Sequence, residues 1–87
     1  MIPISTMRRM KIMSDINFNI EKHIADLGER NSKGWIKEFN LVSWNGREAK
    51  YDIRDWNEDH TKMGKGITLT HDEINFLCEA CYDNGIV

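Results

Sequence analysis

Residues 45 and 46 are Asn-Gly, set between two runs in which apolar and polar side chains alternate. A two-residue turn of this kind needs positive φ at both central positions, which Asn and Gly tolerate, so the pair folds its flanks into an antiparallel hairpin. Successive strand side chains point to opposite faces, and a slip of one residue exchanges the faces. A strict two-residue loop would pair Trp44 with Arg47, Phe39 with Asp52 and Glu38 with Ile53, mixing charge into the core. One extra residue in the turn, or a bulge just after it, sets Phe39 against Ile53 and Leu41 against Tyr51. Trp44, Lys50, Asp52, Arg54 and Trp56 then share the other face. This second register gives one clean apolar face and is the one expected.

The rest of the chain extends the pattern on both sides. An earlier strand begins at Phe18, where Phe18, Ile20 and Ile24 share parity; Leu27 breaks it, which places a bulge or the strand end near Gly28. Arg30 to Gly34 is a turn cluster. The hairpin strands run from about Trp35 to Trp44 and from about Ala49 to Trp56. A polar loop, Asn57 to Lys62, leads through Met63-Gly64-Lys65-Gly66 into a fourth strand with Ile67 and Leu69 facing in. Tyr51, Ile53, Ile67 and Leu69 form the expected buried set, and Trp44, Lys50, Arg54 and Trp56 the expected exposed one. Thr70-His71-Asp72-Glu73 is a capping box for a helix over about 71–83, with Gly85 as its stop. That helix aligns Ile74, Leu77, Cys78 and Cys81 for the sheet. Phe76 and Ala80 lie nearly opposite, and a twofold-related copy of the helix is the simplest partner for them. The fold class is therefore α+β, four antiparallel strands and a C-terminal helix, in a homodimer. Residues 1–15, with Arg8, Arg9 and Lys11, read as a flexible arm, and 16–87 as the domain.

With 87 residues the chain holds at most one small domain with a marginal core,. It has no apolar run of the roughly 20 residues a membrane span needs, and its start lacks the apolar block of a signal peptide. Two cysteines make no disulfide framework and suit a reducing cytoplasm, with the nucleoid as a further location,. The formal charge of −2 argues mildly against a polyanionic partner, yet all 12 Lys and Arg precede Thr70. Cys78 and Cys81 sit late in their helix, where the dipole opposes thiolate formation, and no second pair of zinc ligands is spaced to join them. They read as packing residues. Asp55, Glu58, Asp59 and His60 read as a solvated loop. Gly64-Lys65-Gly66 lacks the spacing of a nucleotide phosphate loop. It reads either as a turn needing positive φ or as a strand that a ligand approaches closely. No nucleophile–base arrangement stands out, so no enzyme, cofactor, metal or small-molecule substrate is expected. The interleaving of Trp44 and Trp56 with Arg47, Lys50, Arg54 and Lys65 instead suits base stacking combined with phosphate neutralisation.

The segment KYDIRDWNEDHTKMGKGITLTHDEINFL resembles the C-terminal domain of the transcriptional positive cofactor 4 (coactivator p15) family. With the GWIKEFNLVSWNGR hairpin included, residues 16 to about 84 look like its YdbC-type bacterial branch. The resemblance implies a curved four-stranded sheet followed by one helix, dimerisation through the helices, and binding of single-stranded DNA with little sequence preference. Some members also bind RNA. On the family pattern, Trp44, Arg47, Arg54, Trp56 and Lys65 match ligand-contacting positions; Lys50 is added from the face argument. Transcription regulation, replication, recombination and repair are the processes such a protein serves. An RNA chaperone using the same surface, and a protein-interaction module using exposed tryptophans, are the alternatives.

Overall fold

The structure, a computed structural model, describes residues 16–87; the arm expected at 1–15 lies outside them. Four strands, β1 (Phe18–Asp26), β2 (Ile36–Trp44), β3 (Lys50–Trp56) and β4 (Met63–Leu69), are followed by helix α1 (His71–Asp83). The strands neighbour one another in chain order, and every pairing is antiparallel. No helix among the described residues is long and apolar enough to cross a membrane.

The hairpin solves its register problem with a bulge. Asn45 and Gly46 take φ of 55° and 75°, and Arg47 N donates to the Trp44 carbonyl at 3.0 Å, closing a tight two-residue turn. The ladder nevertheless runs Val42 to Lys50, Leu41 to Tyr51 and Phe39 to Ile53. A bulge within residues 47–49 therefore follows the turn, held by Ser43 Oγ donating to the Arg47 carbonyl at 2.6 Å. The expected faces form as a result. A second irregularity lies between the pairs Arg54–Gly66 and Trp56–Met63. Lys65 lies within it, where strand parity no longer fixes a face.

β1 carries two irregularities, between Ile20 and Lys22 and between His23 and Ala25. Sequence parity places a break later, near Leu27. The earlier bulges set Phe18, Ile20 and His23 beside Trp44, Val42 and Asn40. Bulges add bend and twist to a strand, and here the sheet curls strongly. Trp44 ends β2 and Trp56 pairs with Ile36 at its other end, yet the Phe18 ring centroid lies 5.9 Å from one indole and 5.1 Å from the other. One aromatic ring can touch both only if the sheet folds over that face.

Curling inverts the expected burial. Ile36, Val42 and Trp56 are the buried apolar residues, joined by Glu38, Asn40, Ser43 and Asp52. Tyr51, Ile53 and Leu69 on the opposite face are only half-buried, and Ile67 is 53% exposed. The apolar face exists as the register requires, but within one chain little covers it. Helix α1 has no buried residue: Ile74 and Cys81 of its sheet-facing stripe are half-buried, whereas Leu77 and Cys78 are exposed.

Both ends of α1 follow the sequence signals. Thr70 Oγ1 accepts from Glu73 N at 3.1 Å while Glu73 Oε1 accepts from Thr70 N at 2.8 Å, the two halves of a capping box. At the other end Gly85 N donates to the Tyr82 carbonyl and Ile86 N to the Cys81 carbonyl. These are the paired bonds of a Schellman stop.

Candidate nucleic-acid interface

The inner face of the curl is built around Arg54. Its guanidinium forks the Asp52 carboxylate, Nε to Oδ1 at 2.6 Å and Nη2 to Oδ2 at 2.8 Å. Asp52 is fully buried, and Thr68 Oγ1, directly across the β3–β4 ladder, donates to its Oδ2 at 3.0 Å. The buried carboxylate is thus satisfied from two strands, as a buried charge must be. With two edges of its fork fixed, Arg54 lays its central carbon 4.7 Å from the Trp44 ring centroid, within cation–π range.

Gly66 makes room for this arrangement. A Cβ there would collide with the Arg54 side chain and the Ile53 carbonyl. Neither Gly64 nor Gly66 has positive φ, so of the two readings of the glycine–lysine run the positive-φ turn is ruled out and a close-packed strand is found. The close approach is made by the chain's own arginine.

An open recess of about 340 Å³ lies beside the stack, lined by Ile16, Trp44, Asn45, Arg54, Met63 and Thr68. Trp44 is half-buried along it. The indole N–H groups of Trp44 and Trp56 are buried without an acceptor. Arg47 just after the turn, Lys50 at the start of β3 and Lys65 in the β4 irregularity are exposed. Lys50 pairs with Val42 and so shares the face of Trp44 and Arg54. Trp56 does not offer a ring to solvent, contrary to expectation. It is 0% exposed, covered by Phe18 and by His60, whose ring centroid is 5.2 Å away. Phe76 and Ala80 are exposed on α1.

Several members of this face were missed from the sequence. Parity set Asp52 on this face beside Arg54 but did not show that the two side chains pair. Phe18 and Met63 reach the site only through the curl. So does a polar cluster at the far side: His23 Nδ1 lies 2.7 Å from Asn40 Oδ1, Asn40 Nδ2 donates to Glu38 Oε1 at 3.0 Å, and His60 Nε2 is 3.0 Å from both Glu38 oxygens. His60, placed by sequence in a solvated loop, thereby closes over the sheet. Burial pushes the Glu38 carboxyl up, but donation from Asn40 and the imidazole of His60 outweigh it, so Glu38 titrates below its usual range. The Asn40 acceptor, together with the Glu38 and Asp26 carboxylates, raises His23.

A curled antiparallel sheet followed by one C-terminal helix, with an arginine stacked on tryptophan and an exposed lysine on the same face, defines a small sheet-based binding domain. The profile of the Transcriptional Coactivator p15 (PC4) family matches residues 31–80, which take in β2, β3, β4 and most of α1, and the chain belongs to that family. The family is one of non-enzymatic DNA-binding proteins. The chain is also 43% identical over 63 residues, 72% of this chain and 73% of the other, to a protein of Treponema pallidum (strain Nichols) described as uncharacterized.

Proposed function

We propose that the protein binds single-stranded DNA without sequence preference, as a YdbC-type bacterial member of its family and as a homodimer. The observation that carries this reading is the Arg54–Trp44 stack beside an open recess. It offers an aromatic surface with a cation already seated on it, on the face that Lys50 shares. Base stacking of this kind is worth about 1–3 kcal/mol per base and tolerates any base. The exposed lysines and Arg47 supply the phosphate contacts. Arg54 has its fork committed to Asp52 and serves chiefly to position Trp44, while Trp56 forms the floor. In a twofold dimer the two sheets run with opposed polarity, which suits one strand looping across both. Transcription regulation or DNA replication, recombination and repair in the cytoplasm are the roles such binding serves.

Titration with oligothymidine at low and moderate salt, followed by anisotropy and Trp emission, tests the reading. The expected outcome is saturable binding whose log–log salt slope is about −0.7 per phosphate neutralised. Trp44→Phe should remove most of the emission change, because Trp56 is sealed from solvent and Trp35 lies against Gly64 beside Asp55, on the opposite face from the stack. Flat anisotropy at low salt refutes the proposal. Competition with a matched oligouridine decides whether RNA is the preferred ligand.

A further inference from the structure

The cluster around Glu38 has a chemistry that nucleic-acid binding does not use. Glu38 is 5% exposed, and among the described residues its ion-pair partners are two histidines, His23 at 3.5 Å and His60 at 3.0 Å. The cationic side chain across the ladder, Arg54, is turned away to Asp52. A neutral imidazole donates a hydrogen bond but brings no charge to a buried carboxylate. His23 poses a second difficulty. The bond from Asn40 Nδ2 to Glu38 orients that amide with Oδ1 toward His23 Nδ1. His23 Nε2 meanwhile faces Asp26 Oδ1 at 3.0 Å. Both ring nitrogens therefore point at acceptor oxygens, and a neutral ring has one N–H for two acceptors. Either the ring is protonated or a cation stands where the second proton would be.

The geometry gathers further donors. Ligand atoms of His23, Asp26 and Glu38 lie within 4.8 Å of one another, and His60 approaches Glu38 from the opposite element. His60 adopts φ of 59°, in the left-handed region where His, like Asn and Asp, is enriched. Its loop is braced by Asn57 N to the Lys62 carbonyl, His60 N to the Asn57 carbonyl and Asn57 Nδ2 to Thr61 Oγ1. This loop conformation brings the imidazole in over Glu38. Ile20, His23, Glu38 and His60 line an open recess of about 340 Å³, with room for water to complete a coordination shell.

We propose that His23, Asp26 and Glu38, whose ligand atoms cluster, form a binding site for a divalent cation of the zinc class together with His60, which lies on the Glu38 carboxylate. Two imidazoles and two carboxylates suit zinc, whereas magnesium and calcium favour all-oxygen shells. A bound ion neutralises Glu38, satisfies the second nitrogen of His23, and clamps β1 and the β3–β4 loop onto β2. Asn40 is the outer residue that orients both His23 and Glu38, and does not itself touch the ion.

The test uses chelator-treated full-length protein carrying Cys78→Ser and Cys81→Ser, so that thiols cannot supply the site, and contains no oligonucleotide. Calorimetry with zinc chloride should show one ion per chain, with no comparable uptake of magnesium. Zinc should raise the melting temperature and shift the imidazole NMR signals of His23 and His60. His60→Ala and Glu38→Gln should each weaken uptake by about tenfold or more. His23→Ala, whose side chain is half-exposed, supplies the measurement should Glu38→Gln not fold. Absence of stoichiometric uptake, or uptake unchanged in both His23→Ala and His60→Ala, overturns the proposal. Because no DNA is present, that result leaves the nucleic-acid reading standing.

Discussion

Arg54 carries a cost for any attempt to read its role by truncation. Its partner Asp52 is fully buried, and removing one member of a buried, hydrogen-bonded ion pair leaves the other charge unpaired, typically at about 3–5 kcal/mol. Arg54→Ala is therefore expected to lower unfolding stability by about that amount before any effect on binding is read. Asp52→Asn added to Arg54→Ala should recover a substantial part of the loss, because the orphaned charge is gone while Thr68 can still donate to the amide oxygen. Urea melts of the wild type and the two variants check this. Equal loss in single and double variants contradicts the compensation. The exposed residues Lys50 and Lys65 are the cleaner sites for counting phosphate contacts. Residue parity revealed that Arg54 and Trp44 share a face. It could not reveal that the guanidinium is already held by Asp52, since a side chain committed to a neighbour and one left free have the same spacing.

At the scale of elements, the sequence announced whatever is decided locally. The Asn45-Gly46 turn, its compensating bulge, the Thr70–Glu73 box and the Gly85 stop each rest on residues close in the chain, and each is present. The burial of the two sheet faces was not legible, because the curl depends on bulges in β1 and on Phe18 meeting both Trp44 of β2 and Trp56 of β3. Nor was the Glu38 cluster, whose members come from β1, β2 and the β3–β4 loop. That cluster gives β1 a pH-dependent attachment. The folded-state pKa of His23 is raised above 6.5, so its contribution is complete below 6.5 and disappears as pH rises through the raised value. Glu38 is lowered below 4.5, so its contribution is complete above 4.5 and is lost as pH falls through the depressed value. Metal-free protein should accordingly melt highest between these limits. His23→Gln should flatten the decline on the alkaline side while leaving the acid limb in place. Thermal melts in chelator across pH measure both limbs, and an alkaline decline unchanged in the variant rules out His23 as its source.

The molecule as a whole is unbalanced as a single chain. Its tightest packing lies on the polar and aromatic face, while Ile67, Phe76, Leu77, Tyr82 and Ile86 are each between 46% and 75% exposed. Apolar side chains grouped this way on a sheet face and the adjoining helix mark an interaction surface rather than a solvent boundary. An isologous pairing through α1 would cover helix and sheet together, and each large apolar side chain fully buried there would add about 1.5–3 kcal/mol, counted once per subunit. Folding and association should then be coupled, with a melting temperature that rises with protein concentration. Sedimentation equilibrium should give twice the 10.2 kDa chain mass. Phe76→Glu, placing a charge where the twofold-related helix would pack, should shift the protein to monomer and remove the concentration dependence of melting. It should also weaken oligothymidine binding by eliminating the second sheet, while leaving the response of Trp44 in the monomer intact. A wild-type protein that sediments at the single-chain mass throughout the concentration range used for DNA titration would show that the open face has another occupant and that one sheet suffices for binding.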